Sequence, residues 1–392
     1  MIASFAAWVQ PGDRIAYVGN TFADQLRNHG YVEALLLNEF VDDPISIRNL
    51  AWAGDTVSVR DRPTNFPTEE STLTEHQADL IIACFGMSES FAGEAGIENF
   101  KTDLSKLLSA YLGKQFNGSS AVRLVLVSPI AYENLGKLTP RWEQRNHELS
   151  LYTLAMAEVA SSLEIGFIDL FEPSSRLMEH TSSAQLTTNG IHLNASGYWA
   201  VSSLLFNRLT GKEKQPWSLR IDAQSGLLDA EGVELSALNI SPSSFNFQVK
   251  EEQPASIPPP AGSKTVDGRD TMIVENLDPG EYSLTIDGVP VATATHEEWA
   301  EGVPIDNSPA HQEAESFRSE VIDKNTQFTY SWKALNQVHI VGERRNSPSG
   351  RALPQEVIEF NELTRKKDES LQGGTELKIR QWQLAPNTKL TN

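Results

Sequence analysis

The run Asp79–Phe85, DLIIACF, places six apolar residues in a row and is followed directly by Gly86. No polar residue alternates with them, so a strand here is covered on both faces, as in the parallel sheets of α/β proteins. Four further short, mainly apolar runs have a similar character: Arg14–Val18, Ile45–Ala51, Val122–Ser128 and Ile165–Leu170. These five runs predict the strands of one parallel sheet.

Longer segments with helical spacing separate these runs. They are Phe22–Phe40, Asn99–Leu112, Arg145–Leu163 and Ser196–Leu209. Within the second, Leu104, Leu107, Leu108 and Tyr111 recur three or four residues apart and form one apolar stripe. Alternating strands and helices predict a doubly wound α/β domain that ends near Gly211.

The pattern changes after Gly211. Short alternating runs and the dipeptide Asp287-Gly288, a typical hairpin turn, predict a small antiparallel β domain, and Pro254–Ala261 reads as an exposed connector. The remainder is polar, with helices predicted at Glu313–Lys324 and Pro354–Leu371. The expected domains are therefore residues 1–212, 213–295 and a partly helical C-terminal extension, 296–392.

Composition excludes several classes of function. The 392 residues include 52 acidic and 32 basic side chains, a formal charge of -20, which disfavours nucleic acid and anionic lipid as partners. The single cysteine, Cys84, excludes an intrachain disulfide and cysteine-rich zinc sites, and within its apolar run it is expected to be a buried thiol.

The 40% apolar content predicts a soluble globular chain, and no window of about 18 apolar residues predicts a transmembrane segment. No signal peptide is visible in Met1 to Gln10, because a basic n-region is missing. A cytoplasmic location is expected by default, and an extracytoplasmic one if a leader has been removed.

Polar, glycine-bearing turns follow three of the predicted strands, and a fourth precedes the last helix of the α/β domain. They contain Gly19-Asn20-Thr21, Gly54-Asp55, Gly86-Met87-Ser88 and Asn189-Gly190-Ile191-His192. Ligands of open parallel sheets bind outside the carboxyl ends of the strands. The four turns are therefore expected to meet in a single cleft.

The order and spacing of these turns resemble the conserved blocks of the SGNH/GDSL hydrolases over about residues 12–210. The segments Glu89–Gly96 and Asn189–Leu193 are similar to a bacterial branch of that family that carries a β segment and a helical tail. The resemblance implies a flavodoxin-like α/β fold and hydrolysis of acyl or acetyl esters. The implied substrate is a small-molecule or carbohydrate ester, and neither a metal nor an organic cofactor is required.

Carried over position by position, the resemblance implies a role for five residues. Thr21 stands at the nucleophile position, and His192 at that of the base. Asn189 stands where the family has an aspartate, and its amide oxygen is expected to accept the imidazole Nδ1–H. Gly54 and Ser88 are implied for the oxyanion hole, with Ser88 in place of an asparagine.

Each of these residues also has a structural interpretation. Thr21 is a plausible helix N-cap, Asn189 a turn former and Gly54 a turn glycine, and Asp55 or Glu89 could supply the carboxylate missing at position 189. Because three polar positions depart from the family pattern, a binding or scaffold protein with little or no catalysis is the alternative function. In a third interpretation, the β segment and the tail dock the chain onto a glycan or a protein partner, whose identity the sequence leaves open.

Overall fold

The computed structural model describes residues 7–62, 66–180, 185–241, 244–260, 263, 269–334 and 346–387. The chain forms two compact units. The first comprises residues 1–213, 260–264 and 319–374, and the second comprises residues 214–259, 265–318 and 375–392. Within the described residues, no helix is long and apolar enough to cross a bilayer.

The first unit contains a five-stranded parallel sheet with the order β2-β1-β3-β4-β5. The strands are β1 Arg14–Gly19, β2 Ser46–Asn49, β3 Leu80–Cys84, β4 Arg123–Val127 and β5 Gly166–Ile168. Every residue of the central strand β3 is buried, because helices cover both faces of the sheet. The predicted α/β fold class and all five predicted strands are confirmed.

Seven helices of the described chain accompany these strands. They are α1 Thr21–His29, α2 Tyr31–Glu39, α3 Glu69–His76, α4 Ile97–Ser109, α5 Trp142–Ser162, α6 Phe171–His180 and α7 Ala195–Thr210. The single helix predicted over Phe22–Phe40 is wrong in one respect, because Gly30 adopts φ +66° and ends α1. The short helices α3 and α6 were not predicted, since neither has a long apolar repeat.

The second unit contains two mainly antiparallel sheets, with strand orders β13-β10-β6-β7 and β12-β11-β14-β9-β8. Their strands are β6 Ser218–Asp222, β7 Gly226–Glu231, β8 Val233–Ser241, β9 Ser244–Glu251, β10 Thr271–Glu275, β11 Glu281–Ile286, β12 Val289–Thr295, β13 Val303–Pro304 and β14 Ile379–Pro386. The predicted hairpin joins β11 to β12 through Asp287 and Gly288, both at positive φ. Buried side chains of the two sheets form one hydrophobic core around Trp299, Trp382 and Phe247.

The residues of the expected extension 296–392 are shared between both units. Helix α8, His296–Glu301, belongs to the second unit, and helix α9, Pro309–Thr329, passes from the second unit into the first at Ser319. Helix α10, Pro348–Leu371, lies in the first unit, whereas β14 pairs with β9 and β11 of the second. This division differs from the expected one, because strand pairing over more than 90 residues leaves no local signal. Ala261 of the predicted connector lies outside the described residues.

Candidate active site

Three of the four turns singled out in the sequence contribute to a cavity of about 150 Å³ at the carboxyl ends of β1, β3 and β4. Gly54 and Asn189 do not line this cavity but contact Thr21 and His192, which do. Thr21, Ser88 and His192 all line it. Most of the remaining wall is apolar, formed by Phe22, Cys84, Phe85, Met87, Phe91, Pro129, Ile130 and Ile191. No described lining residue is a carboxylate, an ammonium or a guanidinium, so the cavity suits an uncharged group.

Thr21 is not the N-cap of the helix that it begins. Asn20 occupies that position, and its side-chain oxygen accepts the N–H of Phe22 at 3.1 Å. The Thr21 hydroxyl oxygen instead accepts the backbone N–H of Gly54 at 3.2 Å. The Thr21 hydroxyl therefore lies at the cavity wall with the Gly54 N–H directed at its oxygen.

The position of Thr21 depends on a close approach between β1 and β3. Gly19 has φ +138°, and a Cβ built there lies only 2.2 Å from the carbonyl oxygen of Cys84. The same carbonyl accepts the N–H of Asn20 at 3.1 Å. Glycine is therefore required by sterics directly before the Asn20-Thr21 turn. Burial raises the pKa of the Cys84 thiol to about 12, which agrees with the predicted inert, buried cysteine.

His192 and Asn189 lie in one tight turn before α7. The side-chain oxygen of Asn189 accepts the backbone N–H groups of His192 at 2.9 Å and of Ile191 at 3.2 Å. Its amide nitrogen lies 3.0 Å from Nδ1 of the His192 ring. Asn189 is thus a turn former and an imidazole contact at once.

This contact corrects the expectation that the amide oxygen of Asn189 accepts Nδ1–H. Two backbone donors hold the oxygen, so the amide group presents only N–H to the ring. An amide nitrogen donates and does not accept, so Nδ1 of a neutral His192 must be the acceptor. This arrangement favours the neutral tautomer whose proton is on Nε2. Among the described contacts, no hydrogen bond joins His192 to Thr21.

The two carboxylates considered as substitutes for an orienting aspartate are engaged elsewhere. Asp55 is buried and accepts two hydrogen bonds from Arg62, at 2.6 and 2.8 Å. Glu89 accepts the backbone N–H groups of Val57 and Gly86, both at 2.9 Å. Burial raises the pKa of the Glu89 carboxyl, against the effect of these two donors. Glu89 therefore links the turn that follows β2 to the turn that follows β3.

A residue missed in the sequence, Glu133, anchors the segment that leads to His192. Its buried carboxylate accepts the N–H of Leu186 at 2.8 Å, together with the N–H and the hydroxyl of Thr187 at 2.6 and 2.5 Å. The Glu133 N–H in turn donates to the carbonyl of Gly190 at 3.0 Å. The signal in the sequence is a single acidic residue in the loop after β4, which also contains Asn134, Lys137 and Arg141, and this is too weak to identify the role.

A second residue missed in the sequence, Arg145, supports the opposite wall. Its buried guanidinium donates to the hydroxyl of Ser90 at 2.7 Å and lies 3.8 Å from the centroid of the Phe91 ring. The Phe91 ring remains 59% exposed at the cavity. Arg145 therefore fixes the short 3-10 turn Glu89–Ala92, which follows Ser88.

No group of three or more His, Cys, Asp or Glu side chains within the described ranges is arranged to hold a metal ion. The polar groups at or beside the cavity include hydroxyl, imidazole and backbone N–H groups. These are the groups that acyl transfer uses.

Residues 12–200 match the sequence model of the GDSL-like Lipase/Acylhydrolase family. This part of the chain belongs to that family. Members of such a family are acylhydrolases, so the expectation of a hydrolase that acts on ester bonds is confirmed at this level. No curated protein matches the sequence.

One solved structure has a similar fold over most of this chain. The structure of a gut microbial diltiazem-metabolizing enzyme is 16% identical in sequence and superposes with a TM-score of 0.71. The match covers 98% of this chain and 100% of that enzyme. The structure of a catalytic mutant of the acetylxylan esterase Axe2 from Geobacillus stearothermophilus is 13% identical in sequence, with a TM-score of 0.39. The match covers 52% of this chain and 96% of the esterase. The first similarity shows that the architecture occurs in another enzyme, and at this identity it indicates fold alone.

Proposed function

We propose that this GDSL-like domain hydrolyses esters of apolar acyl groups, with Thr21 as the nucleophile and His192 as the base. The observation that carries the proposal is the placement of the Thr21 hydroxyl against the Gly54 N–H, in the same cavity wall as His192. Gly54 and Ser88 are the proposed oxyanion donors. Neither a metal nor an organic cofactor takes part in this chemistry.

In the first step, which requires the neutral His192 tautomer with its proton on Nδ1, the Thr21 oxygen attacks the ester carbonyl carbon and its proton passes to the free Nε2 of His192. The tetrahedral intermediate collapses, the bond to the leaving oxygen breaks, and His192 protonates the released alcohol. Water then attacks the acyl-Thr21 ester, with His192 again taking and returning the proton. The products are a carboxylic acid and an alcohol, and the residues return to their starting state.

The cavity restricts the acyl group of the proposed substrate. Apolar cavities of about 150 Å³ accommodate a molecule the size of benzene. Each methylene group that leaves water contributes about 0.8 kcal/mol, so two additional methylenes favour a butyryl over an acetyl ester by about tenfold. The cavity is therefore expected to prefer butyryl and benzoyl esters to acetyl and to long-chain esters.

The test compares p-nitrophenyl acetate, butyrate, benzoate and palmitate with the wild type and with Thr21→Ala and His192→Ala. The exposed residues Thr102 and His147 offer matched controls, Thr102→Ala and His147→Ala. We expect butyrate and benzoate to be cleaved fastest, and both site variants to lose turnover while both controls retain it. Equal turnover by the wild type and His192→Ala would refute the proposal.

A second candidate function is ester binding without cleavage. The observation that favours it is the Asn189 amide nitrogen against Nδ1 of His192, because Nε2 then carries the proton that a base must lack. In that case the butyrate ester raises the melting temperature of the wild type and is recovered intact. Turnover above the His192→Ala background excludes this function.

A further inference from the structure

We infer that Asn189 holds neutral His192 in the Nε2–H tautomer and thereby keeps hydrolysis in this site slow. The inference rests on the proposed function and adds to it a positioning residue that restrains the base. It follows from the turn that contains both residues, and not from the identity of the asparagine alone.

The first step concerns which end of the Asn189 amide faces the ring. The oxygen is held by two backbone N–H groups, at 2.9 and 3.2 Å. Rotation of the amide by 180° would direct its NH₂ at both donors. Both hydrogen bonds are exposed to solvent, so the rotation costs their net contribution of about 0.5–1.5 kcal/mol each. The two backbone donors therefore favour this orientation of the amide.

The second step concerns the imidazole. With the amide N–H at 3.0 Å from Nδ1, a proton on Nδ1 would place two donors against each other. Such a proton forfeits a hydrogen bond worth about 0.5–1.5 kcal/mol and adds repulsion, so Nε2–H is the favoured neutral tautomer.

The third step is the consequence for the cavity. His192 lines the cavity and its Nδ1 is engaged by Asn189, so Nε2 is the nitrogen left for the reaction. As Nε2–H it donates a hydrogen bond and does not accept the proton of Thr21. A carboxylate at position 189 would accept the same two backbone N–H groups with one oxygen and Nδ1–H with the other. In a serine triad, the aspartate-to-asparagine change lowers kcat by about 10⁴.

The experiment measures the tautomer and the hydrolysis rate of the full-length chain in parallel. Long-range ¹H–¹⁵N spectra of protein with ¹⁵N-labelled histidine distinguish protonated from unprotonated ring nitrogens, at a pH where the ring is neutral. The His192 signals are assigned by their loss in His192→Gln. We expect Nδ1 to be unprotonated in the wild type and protonated in Asn189→Asp.

The Asn189→Asp variant is also expected to hydrolyse p-nitrophenyl butyrate at least tenfold faster than the wild type, with about 10⁴-fold as the ceiling. Asn194→Asp is the matched control, because it adds the same charge nearby, at the N-cap of α7, without contacting His192. It is expected to leave both the tautomer and the rate unchanged. Asn189→Ala, which removes the donor without adding an acceptor, is expected to give a mixture of tautomers.

Two results would overturn the inference. One is a protonated Nδ1 in the wild type, whatever the rates are. The other is a proton that moves to Nδ1 in Asn189→Asp with no gain in hydrolysis. Failure of the proposed function is recognised separately, as equal turnover by Asn189→Asp and by the double variant Thr21→Ala/Asn189→Asp.

Discussion

Replacing Glu133 by glutamine should release the segment that carries His192, although Glu133 itself does not line the cavity. The carboxylate is only 6% exposed and accepts three hydrogen bonds, two from Thr187 and one from Leu186. Glutamine is nearly isosteric but has one acceptor oxygen instead of two. Its NH₂ group must therefore face at least one of the N–H donors that the carboxylate now satisfies.

The magnitude follows from these contacts. A hydrogen bond to a charged acceptor contributes about 1.5–3 kcal/mol, and the remaining bonds weaken when the charge is lost. We therefore expect Glu133→Gln to lower the free energy of unfolding by about 2–4 kcal/mol. At about 2–4 °C per kcal/mol for a domain of this size, the melting temperature should fall by about 4–16 °C.

The assay is thermal unfolding combined with hydrolysis of p-nitrophenyl butyrate. Glu143→Gln is the matched control, because Glu143 lies exposed on α5 and loses the same charge. Since the loosened segment carries Asn189 and His192, kcat should fall in Glu133→Gln even at a temperature where the variant is folded. A melting temperature within 1 °C of the control, or an unchanged kcat, would show that this carboxylate does not position the segment.

Three further predictions concern packing and buried charge. Gly19→Ala should lower the free energy of unfolding, measured with urea, by about 3 kcal/mol or more, because its Cβ meets a backbone oxygen at 2.2 Å. The control Gly12→Ala, also at positive φ but with open space around it, should lower it by about 1 kcal/mol. Lys324→Met should cost about 3–5 kcal/mol in the same assay, because it leaves the buried carboxylate of Glu33 without its ion-pair partner, and adding Glu33→Gln should recover part of that loss. Burial raises the pKa of Glu251 from 4.5 to about 7, so the folded state binds a proton that the unfolded state has released, and stability should fall by up to about 3 kcal/mol as the pH rises through this interval. Urea midpoints at pH 5 and pH 8 test this, and the difference should shrink in Glu251→Gln.

The parallel sheet was predictable because a strand buried on both faces is encoded by an uninterrupted run of apolar residues. The run Asp79–Phe85 has no polar alternation, and the strand that it forms is buried throughout. The carboxyl ends of parallel strands lie at one edge, so the convergence of Thr21, Ser88 and His192 also followed from their places in the sequence. The break at Gly30 was missed, since the apolar pattern continues across that residue.

Contacts between distant segments left no comparable record. Strand β14 pairs with β9 more than 120 residues earlier, and Glu133 reaches Leu186 and Thr187 across 53 and 54 positions. Nothing in the alternation or spacing of these segments selects one partner over another. These contacts form because a strand edge without hydrogen-bond partners and a buried carboxylate without donors both raise the free energy of the folded chain. These penalties arise only when the groups are buried, so they depend on the tertiary structure.

Asn189 shows where the boundary lies between the two kinds of information. The resemblance to the SGNH/GDSL hydrolases, in which an aspartate precedes the histidine by three residues, implied Asn189 as the imidazole partner. Which amide atom faces the ring was set by two backbone N–H groups of the folded turn, and a hydrogen bond is directional in a way that residue identity does not encode. The same asparagine in a turn without those donors would be free to present its oxygen to the ring.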